Sequence, residues 1–316
     1  MAGIAVITTV RDRTEHLRAM REGLNRQRLL PRPPDLEHVI VRMGGADPWR
    51  NLAAGPPAVM VEMRLPSGPD RDRLPLAAAR NAGAAATSAD LLVFLDVDCI
   101  PAPELIEGYR WVAQQSGGLL AGPVGYLPEA ISEATIDPDE LTRWAVPHPA
   151  RPVPPDGVLV HEARYELFWS LSFAIRRADF DALGGFCEEY AGYGGEDTDL
   201  AFTARAAGMP FSWVGGAWAW HQYHPIEDPP RSHLTDIVRN ARVFRRRWGS
   251  WPMEGWLRAF AADGLVEWDN DGDTLRLLDG PAQSELIIGE RGNFSADNPR
   301  FADDQLRGVS SSGGTG

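Results

Sequence analysis

Two aspartates that follow an apolar segment are the first residues whose types and spacing point to chemistry. Asp96 and Asp98 come directly after residues 91–95, an apolar run that is typical of a strand buried on both faces. Side chains two apart on a strand point the same way, so we expect the carboxylates to converge at the carboxyl end of a central strand, where open α/β sheets bind ligands. Converging carboxylates repel each other unless a cation lies between them, and oxygen ligands favour Mg²⁺ or Mn²⁺. The alternative is that Asp96 caps the next segment and Asp98 is a solvated turn residue.

A second candidate site is the segment Tyr-Ala-Gly-Tyr-Gly-Gly-Glu-Asp-Thr-Asp-Leu at residues 190–200. Its glycines let the backbone approach a ligand closely, and it delivers Glu196 and Asp197 into the first turn of a predicted helix. The helix dipole favours acidic residues there, which accounts for one of the two without any functional role. Aromatic faces beside carboxylates can also hold a sugar ring, and a carboxylate held near a hydroxyl can act as a general base.

A third candidate is the pair His221 and His224, which lies where the chain leaves a predicted strand. A single histidine in such a place is more often structural than a ligand. Two imidazoles three residues apart make metal binding an equal alternative, because imidazole is a frequent metal ligand.

The elements that must position these residues alternate between strand and helix. Apolar strand patterns and the helical patterns between them lie, in chain order, at residues 3–10, 14–29, 36–41, 58–65, 76–87 and 91–95. This alternation predicts an α/β fold with a mostly parallel, doubly wound central sheet and flanking helices.

Further along the chain the patterns are shorter. Strands are predicted at 117–124, 166–177 and 211–220, helices at 178–183, 196–207 and 233–248, and a hairpin at 265–269 and 274–278. Residues 128–155 are rich in proline and acidic residues without periodicity, so we expect a long surface loop there.

Composition excludes several classes of protein. The 316 residues carry a formal net charge of −13, which argues against a nucleic-acid partner. Two cysteines without a Cys-x-x-Cys pair give no zinc cluster and fit a reducing compartment. No apolar run approaches the roughly 20 residues that span a bilayer, and the N-terminus lacks the features of a signal peptide. We therefore expect a cytoplasmic protein without a transmembrane segment. Peripheral membrane contact through the arginine-bearing helix at 233–248 stays open.

The three motifs, taken in order, resemble those of a family 2 glycosyltransferase of the GT-A fold. The segment Gly-Tyr-Gly-Gly-Glu-Asp-Thr-Asp-Leu is similar to the Trp-Gly-Trp-Gly-Gly-Glu-Asp-Asp-Asp block of animal β-galactosyltransferases. The resemblance covers about residues 3–224. It implies a Rossmann-like GT-A domain at 1–225, with a nucleotide-binding half at 1–125 and an acceptor-binding half at 126–225. Beyond it we expect a helical segment that packs on the core, a small hairpin-containing extension and a flexible tail, at 226–262, 263–305 and 306–316.

The resemblance implies roles for residues at matching positions. It assigns nucleotide and donor-sugar binding to Thr9, Arg11, Asp47, Arg80, Asn81 and Asp96. Asp47 is the acid expected to contact uracil, although the Gly-Gly before it departs from the family's usual spacing. Asp98 and His224 match the metal ligands, and His221 falls where galactosyltransferases have a methionine ligand. Asp197 matches the general base and Glu196 the acid that binds the acceptor.

The activity implied by the resemblance is an inverting transfer that depends on Mn²⁺ or Mg²⁺. The donor is expected to be a nucleotide-diphosphate sugar, in the first place a UDP-hexose, with GDP- and dTDP-sugars not excluded. The acceptor would be a hydroxyl on a glycan, lipid or small molecule, beside Tyr193, Gly194, Gly195 and Trp169. We expect the 128–155 loop to order when substrate binds.

Two alternative functions are also considered for these residues. A metal-dependent nucleotidyltransferase also has acidic residues at strand ends, but it has no use for the Gly-Gly-Glu-Asp block, and no glycine-rich phosphate loop follows the first strand. A catalytically silent sugar-nucleotide-binding module would keep the fold without needing every carboxylate. Turnover of a sugar nucleotide with and without Mn²⁺ distinguishes these alternatives.

Overall fold

The computed structural model describes residues 3–28, 35–47, 52–65, 73–131, 137–225 and 227–278. The chain divides into two compact units, the first comprising Met1–Ala191 with Glu196–His224 and the second comprising Gly192–Gly195 with Pro225–Gly316. The flexible tail expected at 306–316 and the end of the expected extension, from 279 to 305, lie outside the described residues.

The strands are numbered in chain order. They are β1 (Ile4–Val10), β2 (Leu36–Arg42), β3 (Ala58–Glu62), β4 (Leu91–Leu95), β5 (Cys99–Pro101), β6 (Leu119–Ala121), β7 (Val124–Tyr126), β8 (Val146–Pro147), β9 (Leu159–Glu162), β10 (Ser172–Arg176), β11 (Phe211–Val214), β12 (Ala219–His221), β13 (Val266–Trp268) and β14 (Leu275–Leu277).

The α-helices are numbered in the same way. They are α1 (Thr14–Asn25), α2 (Leu76–Ala85), α3 (Leu105–Gln115), α4 (Pro138–Trp144), α5 (Arg177–Leu183), α6 (Glu196–Ala206), α7 (Leu234–Trp248) and α8 (Glu254–Ala262).

The first unit is built on an eight-stranded sheet with the order β3-β2-β1-β4-β10-β6-β11-β9. The strands from β3 to β4 run parallel, while β10 runs antiparallel to both of its neighbours. β1 and β4 are buried along their whole length, as their uninterrupted apolar sequences predict. The expected α/β fold with a large, mostly parallel central sheet and flanking helices is confirmed.

A second sheet, with the order β5-β12-β7-β8, belongs to the same unit. The single strand predicted for residues 211–220 is two strands, β11 in the main sheet and β12 in the second sheet. Gly215 and Gly216 separate them, and Gly216 has a φ of +89°. A Cβ at Gly215 would collide with the carbonyl oxygen of Pro155, so glycine is required where the chain passes between the sheets.

The prediction of one continuous surface loop over residues 128–155 is wrong between 137 and 147. Helix α4 forms there because the Asp137 side chain accepts the backbone N–H of Asp139 at 3.0 Å and Pro138 occupies the first turn. Only Leu141 of this helix is buried, so its amphipathic pattern is too short to recognise in the sequence. The ordering of this region on substrate binding stays a prediction.

The second unit contains α7, α8 and the predicted hairpin, which is observed as β13 paired antiparallel with β14. Leu234, Ile237, Val238 and Ala241 repeat with helical spacing and form the buried face of α7. They belong to one hydrophobic core with Trp251, Leu257, Phe260, Val266 and Leu275. Among the described residues, no helix is both long and apolar enough to cross a membrane.

Candidate functional site

The chain turns between β4 and β5, and this turn carries Asp96 and Asp98. The N–H of Asp96 donates to the Leu171 carbonyl at 3.0 Å, and the N–H of Cys99 donates back to the Asp96 carbonyl at 2.9 Å. The two carboxylates therefore do not follow strand geometry. Asp96 faces Arg80, whereas Asp98 faces His221 and His224. Asp98 thus converges with the histidines, and its charge also helps to raise the pKa of Asp96. The expected convergence of the two aspartates on one point stays a prediction.

Pairing in the second sheet brings the histidines to Asp98. β12 lies antiparallel to β5 with His221 opposite Cys99, and the N–H of Gln222 donates to the Asp98 carbonyl at 2.7 Å. The Nε2 atoms of His221 and His224 then lie 3.7 and 3.5 Å from the two Asp98 carboxylate oxygens. The histidine pair is thus placed by a ladder between strands that are far apart in sequence.

Asp98, His221 and His224 form a group that can hold a metal ion, since one ligand atom from each lies within 4.8 Å of the others. Burial lowers the pKa of His221 below its usual value, although the Asp98 carboxylate opposes this, so its imidazole is held in the neutral form that ligates metals. Burial alone would raise the pKa of Asp98, but His221, His224 and Arg13 lower it overall and keep the carboxylate ionised. The donor set and its protonation fit a divalent cation.

Arg80 on α2 links two of the predicted site residues. Its Nη2 donates to Asp96 at 3.1 Å and its Nη1 donates to Glu196 at 2.9 Å, with only 6% of the arginine side chain exposed. Burial would lower the pKa of Arg80, but the charges of Asp96 and Glu196 raise it overall. Burial also raises the pKa of Asp96, to about 7, with Arg80 acting in the opposite direction. The turn after β4 and the first residue of α6 are therefore tied together by one guanidinium.

Asp197 follows Glu196 in the first turn of α6. Its Oδ1 accepts the N–H of Thr198 at 2.7 Å, and its Oδ2 accepts the N–H of Ser170 at 3.4 Å. Burial, and next the negative charge of Glu196, raise the pKa of Asp197 to about 6, although Arg80 and the two N–H groups act against this rise. A carboxylate with such a pKa is mostly ionised at neutral pH and still basic enough to accept a proton.

Asn81, the neighbour of Arg80 on α2, forms hydrogen bonds with the segment that follows α5. Its amide nitrogen donates to the Phe186 carbonyl at 2.9 Å and to Glu188 at 2.8 Å, and its oxygen accepts the N–H of Phe186 at 2.9 Å. The side chain thus holds the segment after α5 in place. The Phe186 ring also lies against Arg80, whose Cζ is 5.3 Å from the ring centroid, so both neighbours contact this segment. The donor role of Asn81 stays a prediction.

Thr9 lies near the end of β1, Arg11 follows that strand, and Asp47 lies in the loop after β2. The two strands pair in parallel up to Val10 opposite Arg42, so the residues that follow them share one edge of the sheet. The Asp12 carboxylate accepts the N–H of Ala46 at 2.6 Å and joins the two loops. A Cβ at Gly45 would collide with that carboxylate, which is the physical reason for the glycine pair before Asp47.

Trp169 lies beside Arg151, a residue that the sequence did not single out. The Arg151 Cζ atom is 5.1 Å from the Trp169 ring and 4.7 Å from the Trp213 ring. His148 meets Trp169 edge-on at 4.8 Å. Trp169 directly precedes Ser170, which donates to Asp197, so this aromatic group adjoins the carboxylate that matches the base.

Tyr193, Gly194 and Gly195 belong to the second unit. The Asn240 side chain, fully buried on α7, donates to the carbonyls of Tyr193 and Gly194 at 3.1 and 2.8 Å. The Tyr193 ring stacks on His233 at 4.5 Å. A Cβ at Gly192 would collide with the Asp236 carboxylate, so the first glycine of this loop is needed for packing. Contact of these residues with an acceptor stays a prediction.

Three residues near the predicted sites were missed in the sequence. Arg13 lies 3.4 Å from the Asp98 carboxylate, Arg151 contacts Trp169 and Trp213, and Asn240 holds the Tyr193 loop. Arg13 lies shortly after the first strand, as Arg11 does, so the same positional argument could have selected it. Arg151 and Asn240 have no local signal, because their contacts come from distant segments.

Two family models match the parts of the chain that carry these groups. A model described as glycosyl transferase family 2 matches residues 70–110, which include Arg80, Asp96 and Asp98. A model described as the N-terminal domain of galactosyltransferase matches residues 160–227. The resemblance to family 2 glycosyltransferases with a galactosyltransferase-like Gly-Gly-Glu-Asp region is confirmed.

Curated relatives are glycosyltransferases as well. The validoxylamine A glucosyltransferase of Streptomyces hygroscopicus subsp. jinggangensis (strain 5008) is 28% identical over 192 residues, which cover 54% of this chain and 44% of that protein. The chondroitin synthase of Escherichia coli is 24% identical over 193 residues, which cover 53% of this chain and 27% of that protein. The chain therefore spans less than half the length of these relatives.

Among solved structures, residues 1–349 of S. aureus TarS align with a TM-score of 0.50 and 14% identity, covering 76% of this chain and 64% of that one. A likeness at this identity concerns the fold alone. The expected GT-A fold is confirmed.

Proposed function

We propose that this chain, a relative of family 2 glycosyltransferases, transfers a hexosyl group from a UDP-sugar to an acceptor hydroxyl with inversion at the anomeric carbon. The observation that carries the proposal is the Arg80 bridge. It ties Asp96, beside the group that can hold a metal, to Glu196, beside the candidate base, at 3.1 and 2.9 Å. Residues suited to a donor and residues suited to an acceptor are thus part of one buried ionic network.

The metal would be held by Asp98, His221 and His224. Two imidazoles and one carboxylate suit Mn²⁺ better than Mg²⁺, which prefers oxygen ligands. When bound, the ion supplies positive charge that offsets the negative charge developing on the departing diphosphate. Thr9, Arg11 and Asp47, on the edge formed by the ends of β1 and β2, are proposed to contact the nucleotide.

Asp197 is proposed as the general base. It takes the proton from the acceptor hydroxyl while that oxygen bonds to the anomeric carbon and the bond between this carbon and the phosphate oxygen breaks. Charge builds on the sugar as an oxocarbenium-like state, as in glycoside hydrolysis. Because one displacement occurs, the configuration inverts and no enzyme nucleophile is needed. The N–H groups of Ser170 and Thr198 keep the carboxylate in place for this step.

Glu196 is proposed to bind the acceptor rather than to take the proton. Its carboxylate already accepts a charge-assisted hydrogen bond from Arg80 at 2.9 Å, which occupies one of its oxygens. Trp169 offers an indole face to a sugar ring on the same side as Asp197. Asp96 is proposed to meet the ribose.

Calorimetric titration of UDP tests this proposal. UDP should bind the full chain with Mn²⁺, and binding should be lost with EDTA and in Asp98→Ala. Asp181→Ala removes an exposed carboxylate of α5 from the same unit and should bind UDP like the wild type. A donor screen with product analysis then follows.

Failure to bind UDP with Mn²⁺ in the wild type would contradict the choice of nucleotide, and GDP and dTDP in the same experiment would show whether another base is used. Binding that is unaffected by EDTA would contradict the metal. UDP binding without transfer to any acceptor would favour a silent binding module.

A further inference from the structure

Arg151 is a buried cation that the proposed reaction does not use. Its Nε, Nη1 and Nη2 atoms are buried, and none of them has a hydrogen-bond partner within the part of the chain that the structure describes. The whole residue is only 7% exposed. A guanidinium carries five N–H donors and stays protonated, and burying such a group without hydrogen bonds is costly. This cost is removed when a ligand supplies the missing acceptors.

We propose that Arg151 binds an oxyanion, a carboxylate or a phosphate, that is carried by the acceptor. The inference deepens the proposed function and rests on it. The acceptor would then be an acidic saccharide or a phosphorylated sugar or polyol rather than a neutral one.

Two tryptophans explain how the guanidinium is kept in place without an anion. Trp169 and Trp213 lie 5.1 and 4.7 Å from Cζ, and indole faces attract cations. Trp213 is itself oriented, because its Nε1 donates to Glu162 at 3.1 Å. That carboxylate also forms an ion pair with Arg164 at 2.8 Å. Ring faces position the guanidinium but do not replace five hydrogen-bond acceptors.

Arg151 has no hydrogen-bonded counter-charge among the described residues. Burial raises the pKa of Tyr109, so this phenol is neutral at pH 7. Burial, and next the charge of Arg151 itself, lower the pKa of His148 to about 4, so this imidazole is neutral too. Asp197 acts on Arg151 electrostatically without a hydrogen bond between them. An incoming anion can therefore accept the hydrogen bonds for which Arg151 has no partner in the described part of the chain.

The position of Arg151 favours the acceptor over the donor as the source of the anion. One wall of its aromatic surroundings, Trp169, adjoins Ser170, which donates to Asp197. The group proposed to hold the metal has a cation of its own, Arg13, 3.4 Å from Asp98. Asp197 also acts electrostatically on Arg151, so we place the substituents beside the attacking hydroxyl within reach of this guanidinium.

Matched acidic and neutral saccharides test the proposal. We would titrate glucuronate against glucose, and glucose 6-phosphate against glucose, into the full chain with and without UDP and Mn²⁺. The wild type should prefer at least one of the acids by roughly tenfold or more, the size of a hydrogen bond to a charged group. Arg151→Met should abolish this preference, and Arg151→Lys, which keeps the charge but loses the planar fork, should restore part of it.

A control variant separates the site from net charge. Arg110→Met removes an arginine that pairs with Glu107 three residues earlier on α3, at the surface of the same unit, and should keep the preference. Thermal unfolding of each variant verifies that it is folded. Equal affinity for acid and neutral sugar in the wild type, or a preference that survives in Arg151→Met, overturns the proposal.

UDP affinity, measured on the same samples, separates this inference from the proposed function. If Arg151→Met weakens UDP binding and leaves the acids unaffected, the anion belongs to the donor and the proposal is wrong. If UDP does not bind the wild type but the acids bind through Arg151, the proposed function fails while the anion site stands. If UDP binds normally and no acid is preferred, only the anion site fails.

Discussion

Two arginines of the first unit are almost equally buried and have opposite surroundings. Arg80 is 5% exposed and Arg151 is 7% exposed. Arg80 donates to the carboxylates of Asp96 and Glu196, whereas Arg151 has only ring faces against its guanidinium and no hydrogen-bond partner among the described residues. The same side chain thus serves as an internal tie in one place and is left without acceptors in the other.

This difference indicates a structural role for Arg80 and a ligand-binding role for Arg151. A buried arginine with two carboxylates is complete without a substrate, because its donors and the charges of its partners satisfy one another. A buried arginine without acceptors is complete only when something else supplies them. The comparison can therefore be tested by removing each arginine and measuring stability, activity and ligand preference separately.

The largest effect is expected from Arg80→Met. Removing this guanidinium leaves the carboxylates of Asp96 and Glu196 without their counter-charge, and breaking a buried ion pair on one side costs about 3–5 kcal/mol. The free energy of unfolding, measured with urea, should fall by that amount. Arg110→Met, which breaks a surface pair on α3, should change it by less than about 1 kcal/mol. Equal effects of the two substitutions would contradict the role of Arg80 as a tie.

Asp197→Asn should affect activity more than stability. Asp197 acts electrostatically on both arginines, and the amide keeps its shape but cannot accept the proton. A general base contributes about 10²–10⁴-fold to a rate, so kcat should fall by that factor while the Kd for UDP is unchanged. Asp181→Asn serves as the surface control on α5. A variant that keeps more than a tenth of the wild-type kcat would show that another group is the base.

Residues in short local motifs could be predicted from the sequence. Asp98 and the pair His221 and His224 were each identified from spacing, and so were Glu196 and Asp197 at the start of a helix. Their partners could not be paired in this way. The approach of the histidines to Asp98 depends on β12 lying beside β5, and nothing in either three-residue strand encodes that neighbour.

Arg151 shows where sequence reasoning ends. It lies in a proline-rich segment without periodicity, and its significance comes from two tryptophans on later segments of the chain. Asn81 is assigned to the donor only by a motif, and the structure adds hydrogen bonds to Phe186 and Glu188 that the motif does not contain. Its contact with a donor stays a prediction. The spacing of residues in the sequence carries no information about contacts between distant segments or about the direction of a side chain.

A smaller effect on stability is expected from Arg151→Met. The substitution removes a buried charge without leaving any hydrogen-bond acceptor unpaired, and it gives up the attraction of two indole faces, about 0.5–2 kcal/mol each. Relief of the desolvation cost offsets that loss, so the free energy of unfolding should stay within about 1 kcal/mol of wild type. A loss comparable to that of Arg80→Met would show that Arg151 is a structural tie as well.

The smallest effect concerns the pH dependence of transfer. Asp197 must be ionised to accept a proton, and its pKa is about 6, so kcat/KM should rise with pH through about 6 and level off above it. Burial raises this pKa most and the charge of Glu196 raises it further, whereas Arg80 and the N–H groups of Ser170 and Thr198 lower it. Arg151 adds positive charge nearby and so favours the ionised form.

Arg151→Met should therefore move the midpoint of the pH profile upward, because a positive charge near a carboxylate lowers its pKa and the variant lacks that charge. Profiles are compared at saturating Mn²⁺ and with a neutral acceptor, so that neither metal affinity nor anion binding contributes to the shift. Arg110→Met, with the same change in net charge at the surface, should keep the wild-type midpoint, since water and salt screen exposed charges. An unmoved midpoint in Arg151→Met would mean that the two tryptophans isolate this cation from the base. Among the functional measurements, only ligand binding would then distinguish Arg151 from Arg80.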